Sequence, residues 1–126
     1  MLSATSLHGY PGVGTIVIKY QVEEGLQTVG HPNPGTPYLI KKFPRMAFLS
    51  DTDRGKKLLS MLNTAFKRQL NFKVGRSATH GEENWVIWGN IPHKTEAEGQ
   101  YGYPDPDYLD RLEEILKQHG ITRFIY

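Results

Sequence analysis

Two proline-containing loops constrain the fold of this 126-residue chain more than any other feature of it. His31-Pro32-Asn33-Pro34-Gly35 places two prolines around an asparagine, and Tyr101-Gly102-Tyr103-Pro104-Asp105 contains a further proline after two tyrosines. Each proline fixes its own φ and excludes the preceding residue from the helical region. Both strings predict stiff loops, and stiff loops that carry His, Asn and Tyr lose little entropy when a ligand docks. Ordinary turns are the alternative interpretation.

The first of these loops also carries a conformational prediction. A glycine that directly follows Pro34 is expected to adopt a positive φ, and Asn33 is expected to hydrogen-bond locally, as asparagine does in turns. Gly35 then has a structural role whether or not the loop binds a ligand.

The composition favours one globular domain without cysteine chemistry or zinc coordination. Charged residues are 22% of the chain and aromatic residues 11%, which excludes a disordered chain. No cysteine is present, so disulfides, thiolate nucleophiles and a RING finger with its Cys/His zinc ligands are excluded here. His31, His80 and His93 lack the spacing of a zinc site, and Ser77, His93 and Asp105 lack a nucleophile elbow. We therefore expect neither a metal nor a catalytic triad.

The sequence gives no sign of a membrane segment. No apolar run approaches the roughly 20 residues that a membrane span needs. Residues 1–6 lack the basic and apolar regions of a signal peptide. With the absence of cysteine, these features predict a cytosolic or nuclear protein that has no membrane partner.

The net charge of +2 conceals an asymmetry between the two parts of the chain. Residues 1–76 carry 11 Lys/Arg and 4 Asp/Glu, whereas residues 77–126 carry 4 Lys/Arg and 9 Asp/Glu. A basic part attracts phosphates or acidic partners, and a solvated face is the alternative interpretation. Because the cations do not form a nucleic-acid motif, we expect no sequence-specific binding of DNA or RNA.

Periodicity predicts an α+β domain, mainly an antiparallel sheet packed against two main helices at about 52–70 and 106–119. Asp51 is the expected cap of the first helix, Asp105 with Pro106 opens the second, and Gly120 ends it. Alternation or apolar runs predict strands at 15–22, 26–29, 46–49, 72–75, 85–91 and 121–126. We expect residues 26–29 to be the hairpin partner of the first strand, 85–91 to be central in a sheet, and 121–126 to form an edge.

A polar loop joins two of the predicted strands. In Gly75-Arg76-Ser77-Ala78-Thr79-His80-Gly81, two glycines bracket an arginine, two hydroxyls and a histidine. Free backbone N–H groups beside a guanidinium can hold a phosphate or pyrophosphate, although an ordinary polar loop fits the same composition. Trp85 and Trp88 follow, and each is either a core aromatic or a wall for a ribose or adenine.

Several short motifs accompany the two proline loops along the chain: Gly9-Tyr10-Pro11, Gly14-Thr15-Ile16, Ala65-Phe66, Trp88, His93-Lys94-Thr95 and Gly120-Ile121. In this order, the loops and motifs resemble the carboxy-terminal domain of the Deltex ubiquitin ligases. The resemblance runs from about Gly9 to Ile121, so we expect that domain over 9–126 and an N-terminal extension over 1–8.

The resemblance implies a cleft that binds ADP-ribose or NAD, with no covalently bound cofactor. It also implies partners: a RING domain, a ubiquitin-charged conjugating enzyme, and an ADP-ribosylated protein brought to the thioester. The residues that it places near the ligand are Arg76, Ser77, Ala78, Thr79, His80, Trp88, His93, Tyr101 and Tyr103.

The chain departs from the family pattern at the expected acid–base positions. Active Deltex domains commonly pair a histidine just before Gly-Tyr-Pro-Asp with a glutamate on the following helix, and these positions are Tyr101 and Ile115 here. Neither tyrosine nor isoleucine is a competent base at neutral pH. Pro92 replaces a further histidine, and Ala78 stands where a hydroxyl is frequent. Two hypotheses stay open: a nucleotide-binding module that assists a RING, and a catalytically silent protein-interaction domain.

Overall fold

Two helices and two small antiparallel sheets make up the fold. A computed structural model describes residues 2–40, 43–77, 81 and 83–122. In chain order the elements are β1 Leu2–Ser3, β2 Thr15–Tyr20, β3 Arg45–Ser50, α1 Asp53–Lys67, β4 Phe72–Gly75, β5 Trp85–Trp88 and α2 Tyr108–Gln118. The α+β fold predicted from periodicity is confirmed, with both helices shorter than expected.

The larger sheet has the order β1-β2-β3. Thr15 to Tyr20 of β2 pair in register with Ser50 to Arg45 of β3, and Leu2 and Ser3 pair with Ile16 and Thr15. The expected hairpin partner at 26–29 is wrong, because in that segment Leu26 makes an isolated bridge to Pro37. The first eight residues, expected to be an extension, supply β1 and the buried side chain of Leu7.

The smaller sheet pairs β4 with β5, from Phe72 opposite Trp88 to Gly75 opposite Trp85. The strand expected to run to Ile91 ends at Trp88. On the other side of β5, Leu39 bridges to Trp85 through bonds from the Leu39 N–H to Asn84 O and from the Val86 N–H to Leu39 O. The expected strand at 121–126 falls largely outside the described residues, and its first two residues are irregular.

The N-cap of helix α1 lies one residue later than expected. Thr52 is the N-cap, with its hydroxyl accepting from the Gly55 N–H at 3.0 Å. Asp51 instead donates its backbone N–H to Gly14 O and so prolongs the strand pairing. The helix packs a buried stripe onto the sheet, formed by Leu58, Met61, Leu62 and Ala65.

Helix α2 begins later than the sequence predicts. Asp105 does not cap it, because the Asp105 carboxylate lies 2.7 Å from both Lys94 Nζ and Arg111 Nη2. The C-terminal prediction is confirmed: Gly120 has φ +81° and donates to Lys117 O, and Ile121 donates to Leu116 O. These are the two bonds of a Schellman motif. The core between helices and larger sheet includes Leu7, Ile16, Leu49, Ile91, Tyr103, Tyr108, Leu109, Leu112, Leu116 and Ile121.

The His31–Gly35 loop is held by hydrogen bonds to residues close in the sequence and by one to a distant residue. Gly35 has the expected positive φ of +86° and donates to Gln27 O, while the Thr36 N–H donates to Asn33 O. Asn33 therefore bonds locally as expected through its carbonyl, while its side-chain Nδ2 makes a long-range bond to Asn84 Oδ1 at 2.7 Å. The loop is thereby tied to the turn that precedes β5.

Replacing Gly35 with valine should lower the free energy of unfolding by about 1–3 kcal/mol, because a β-branched side chain is strained at this φ. A Cβ there meets nothing within 4 Å, so strain alone is measured. Gly30→Val is the matched control, since a Cβ at Gly30 also meets open space without a positive φ. Urea unfolding curves check this, and equal stability of the two variants would contradict it.

Candidate functional site

An aromatic cluster joins the two sheets beside the His93-Lys94-Thr95 segment. Trp88 stacks on Phe72, its β-sheet partner, with ring centroids 4.7 Å apart and an interplanar angle of 26°. The His93 ring lies 4.5 Å from Trp88 on a tilted approach. Tyr20, at the end of β2, presents an edge-on contact to Phe72, Trp88 and His93. The structure therefore brings together two of the predicted ligand residues, Trp88 and His93.

Both ring nitrogens of His93 are engaged within the protein. Nδ1 lies 2.9 Å from Ile91 O, and Nε2 lies 2.8 Å from the Tyr20 hydroxyl. A carbonyl oxygen only accepts, so Nδ1 carries the proton and Nε2 accepts from Tyr20. Burial lowers the pKa of His93 to about 4, so the ring is neutral at physiological pH. His93 thus orients Trp88 and does not present a free nitrogen to a ligand.

The backbone beside His93 is anchored through its neighbour Lys94. Lys94 is 9% exposed, its Nζ pairs with Asp105 at 2.7 Å, and it lies 5.2 Å above the Tyr108 ring centre. Its carbonyl accepts from the Phe48 N–H. The two cationic partners hold the pKa of Asp105 well below its usual range. These contacts fix the segment against β3 and α2.

Arg45 faces this cluster, although no sequence motif placed it near the ligand. Its guanidinium carbon lies 5.6 Å from the Trp88 ring centre and 5.7 Å from that of Phe43. Among the described residues, Arg45 has no acidic partner and its buried Nε has no hydrogen-bond acceptor. Burial lowers the pKa of the guanidinium, which nevertheless stays charged. A half-buried cation that lacks an acidic partner in the described part of the chain is suited to an anion.

An open pocket of about 380 Å³ lies at this point, lined by Arg45, Met46, Trp88 and Thr95. Its floor is apolar and aromatic, and its charge comes from the guanidinium. Pockets with an aromatic face and few polar groups suit small ligands that combine a flat ring with a polar part.

The polar loop before β5 is described in part. Arg76 pairs with Glu83 at 2.9 Å and donates to Gly81 O, so its guanidinium closes the loop. Ser77 is 2% exposed. Ala78, Thr79 and His80, all predicted near the ligand, lie outside the described residues. Trp85 is 2% exposed, as expected for a core aromatic.

The two tyrosines of the second proline loop have different surroundings. Tyr101 is 56% exposed, whereas Tyr103 is 1% exposed and donates its hydroxyl to Phe48 O at 2.8 Å. Tyr103 also packs edge-on against Tyr10 and Tyr108. Its predicted contact with a ligand therefore needs correction: Tyr103 supports the loop from within the core.

The presumed acid–base positions carry no base in the structure. Ile115 is half-buried and packs against the core, while Glu114 next to it is exposed. No group of three or more His, Asp and Glu side chains that could hold a metal ion occurs in the described part of the chain.

Addition of EDTA should leave the melting temperature unchanged, because the sequence has no cysteine and the described residues hold no cluster of metal ligands. Thermal unfolding followed by circular dichroism, with and without the chelator, measures this. A fall of several degrees would contradict it.

The elements define a small α+β domain with an aromatic, cationic cleft at the junction of its two sheets. Residues 1–121 match the family model described as the Deltex C-terminal domain. The chain belongs to this family.

Curated relatives agree with that assignment. The chain is 43% identical over 119 residues to E3 ubiquitin-protein ligase DTX1 of Xenopus laevis, covering 92% of this chain and 19% of that protein. It is 42% identical over 120 residues to E3 ubiquitin-protein ligase DTX4 of Mus musculus, covering 93% of this chain and 20% of that protein. It is 43% identical over 119 residues to Probable E3 ubiquitin-protein ligase DTX3 of Homo sapiens, covering 92% of this chain and 34% of that protein.

The chain thus spans about a fifth to a third of the length of these relatives. Within the described residues, neither helix is long and apolar enough to cross a bilayer.

Proposed function

We propose that this domain binds ADP-ribose or NAD in the cleft between Arg45, Trp88 and Thr95. In a protein that also carries or recruits a RING domain, it would present ADP-ribose or an ADP-ribosylated protein to the conjugating enzyme charged with ubiquitin. Membership of the Deltex family supports the ubiquitin-pathway role, since the relatives matched are named as ubiquitin ligases. The local geometry supports the choice of ligand.

The observation that carries the proposal is the Arg45 guanidinium. It is partly withdrawn from water, is stacked beside two aromatic rings, and has no carboxylate partner among the described residues. A planar guanidinium can donate two parallel hydrogen bonds to a phosphate, and a low-dielectric setting strengthens them. A pyrophosphate supplies the anion that this arrangement suits.

Trp88 supplies the complementary apolar surface. It is half-buried, and its orientation is fixed by contacts with the rings of Phe72 and His93. A ribose or an adenine can pack against such a ring without a large loss of side-chain entropy. Charge and aromatic surface lie side by side, as they do in ADP-ribose itself.

We further propose that the domain binds without performing proton transfer. A tyrosine such as Tyr101 is a poor general base at neutral pH, and Ile115 is an apolar residue in contact with the core. A module that positions a ligand for other components fits these residues better than a self-sufficient enzyme. A catalytically silent protein-interaction domain is the second candidate, and it is favoured by the same two substitutions.

Calorimetric titration with ADP-ribose tests the role of Arg45. Arg45→Gln should weaken binding by about 10- to 100-fold, the range for loss of charge-assisted hydrogen bonds. Arg45→Lys keeps the charge but loses the planar fork, so an intermediate affinity is expected.

Arg68→Gln is the matched control, because Arg68 is exposed at the end of α1 and should leave the affinity unchanged. Equal affinity of the Arg45→Gln variant and the parent would place the nucleotide elsewhere. Circular dichroism of each variant confirms that the comparison is between folded proteins.

A further inference from the structure

A second and larger concavity lies between β2 and α1. Its volume is about 1090 Å³, and among its lining residues are Ile18, Lys19, Lys56, Leu59 and Phe66. It differs from the Arg45 cleft in every lining residue, although the Tyr20 ring that contacts Trp88 also borders this groove.

The floor of the groove is apolar and partly open to solvent. Ile18, Leu59 and Phe66 are half-buried. Ile18 and Leu59 lie against the core, in which Leu62 is 1% exposed, and the Phe66 ring lies 5.3 Å from that of Tyr20. A continuous apolar floor beside polar walls is typical of a surface that accepts side chains of a partner.

One wall of the groove is an exposed strand edge. Asp51 donates its N–H to Gly14 O, and the Phe48 N–H points to Lys94 O, away from β2. Since backbone groups alternate in direction along a strand, Ile16, Ile18 and Tyr20 bond to β3, and the N–H and C=O of Lys19 face outward. In the described part of the chain, β1 pairs only with Thr15 and Ile16 of β2. The backbone of Lys19 is thus available to an added strand.

The rim of the groove carries an excess of positive charge. The lining contains four cations, Lys19, Arg54, Lys56 and Lys57, against one acid, Asp53. Arg54 and Lys57 are paired with acids of α2, Asp110 and Glu113.

The two remaining rim cations are exposed. The Lys56 side chain is 63% exposed and forms a long ion pair with Asp51 at 3.6 Å, and Lys19 is exposed on β2. An acidic partner complements these two side chains.

We propose that this groove docks an extended acidic segment of a partner protein. The segment adds beside Lys19 through backbone hydrogen bonds, its alternate apolar side chains pack on Ile18, Leu59 and Phe66, and its carboxylates pair with Lys19 and Lys56. The length of α1 along the groove, roughly 20 Å at 1.5 Å per residue, matches about six extended residues. This inference does not depend on nucleotide binding.

Two pools of fluorescein-labelled octapeptides test the proposal by fluorescence anisotropy and ¹⁵N chemical-shift mapping. Both pools have mixed Ile, Val, Leu and Phe at positions 2, 4 and 6, with glutamate elsewhere in one pool and lysine elsewhere in the other. The glutamate pool should bind saturably and shift the amides of Lys19 and Ser60. The lysine pool should not bind, and N-methylation of the peptide amides should weaken binding of the glutamate pool at least tenfold.

A charge-reversal pair locates the contact. The double variant Lys19→Glu/Lys56→Glu should bind the glutamate pool at least tenfold more weakly than the parent does. Lys73→Glu is the control, because Lys73 is exposed on β4 outside the groove, and it should change the affinity less than twofold. Three results would overturn the proposal: no saturable binding of the glutamate pool, equal binding of both pools, or unchanged affinity in the charge-reversed variant. Competition by ADP-ribose would also overturn it, because the peptide would then occupy the other cleft.

Discussion

When joined to a competent RING domain, a conjugating enzyme and ubiquitin, this domain is expected to support little or no transfer of ubiquitin to ADP-ribose. Tyr101 and Ile115 occupy the positions where the family resemblance implies a histidine and a glutamate. Loss of a general base typically lowers a rate by a factor of about 10²–10⁴. Single-turnover discharge of the ubiquitin thioester in the presence of ADP-ribose measures the difference against a Deltex domain that has both residues.

The restored pair Tyr101→His with Ile115→Glu should recover transfer by a similar factor, and either change alone should recover less, because the two groups act as a unit. Ile115 packs against the core, so a glutamate there is expected to cost stability. The folded fraction of each variant must therefore be measured first. Tyr101→Phe is the matched control and should leave the rate of ubiquitin transfer unchanged. Strong transfer by the unmodified domain would contradict this account and would point to Glu114 or His80 as the working base.

The stability of the domain is expected to fall as the pH is lowered from about 6.5 to about 4. Burial lowers the pKa of His93 to about 4 in the folded state, against 6.5 when unfolded. The unfolded chain therefore binds more protons within this window, and stability rises with pH across it. At 1.36 kcal/mol per pKa unit, the free energy of unfolding should fall by about 3 kcal/mol across the whole window because of His93.

Urea unfolding at half-unit pH intervals, compared between the parent and His93→Gln, isolates this contribution. In the variant, the free energy of unfolding should change much less between pH 6.5 and 4. The other titrating groups should contribute equally in both proteins. Below that window, both proteins should lose further stability. The pKa of Asp105 is lowered in the folded state, so protonation of this carboxylate breaks its ion pairs with Lys94 and Arg111. Parallel curves throughout would show that His93 titrates as an exposed histidine.

Local patterns were sufficient to predict much of the fold. The apolar spacing of Leu58, Leu62 and Ala65 identified α1, and the glycine at position 120 identified the end of α2. The positive φ of Gly35 followed from its place after a proline. In each case the deciding interaction joins residues a few positions apart, and such interactions can be recognised in a sequence.

The errors have a different physical origin. Asp105 was expected to cap α2, but two cations that converge on it from residues 94 and 111 hold its carboxylate elsewhere. Asn33 bonds locally through its backbone carbonyl as expected, but the bond from its side chain to Asn84, 51 positions away, was not foreseen. The pairing of β1 with β2 was missed because two residues give no periodic signal.

The site was predictable only in part for the same reason. Trp88 and His93 could be selected from motifs, but the Arg45 guanidinium beside Trp88 depends on β3 and β5 meeting in space. The sequence showed Arg45 as one of many dispersed cations. Tyr103 was selected for its motif, whereas its packing against Tyr10 and Tyr108 places it in the core.

The indole N–H signals of the two tryptophans test the central proposal most directly. Trp88 is half-buried in the proposed cleft, and Trp85 is 2% exposed and serves as an internal reference in the same spectrum. Titration of ADP-ribose into ¹⁵N-labelled domain should move the Trp88 indole signal along a saturable curve, with a much smaller change at Trp85. If the Trp88 signal stays in place at millimolar ADP-ribose and NAD, the cleft does not bind these nucleotides and the proposed function is wrong.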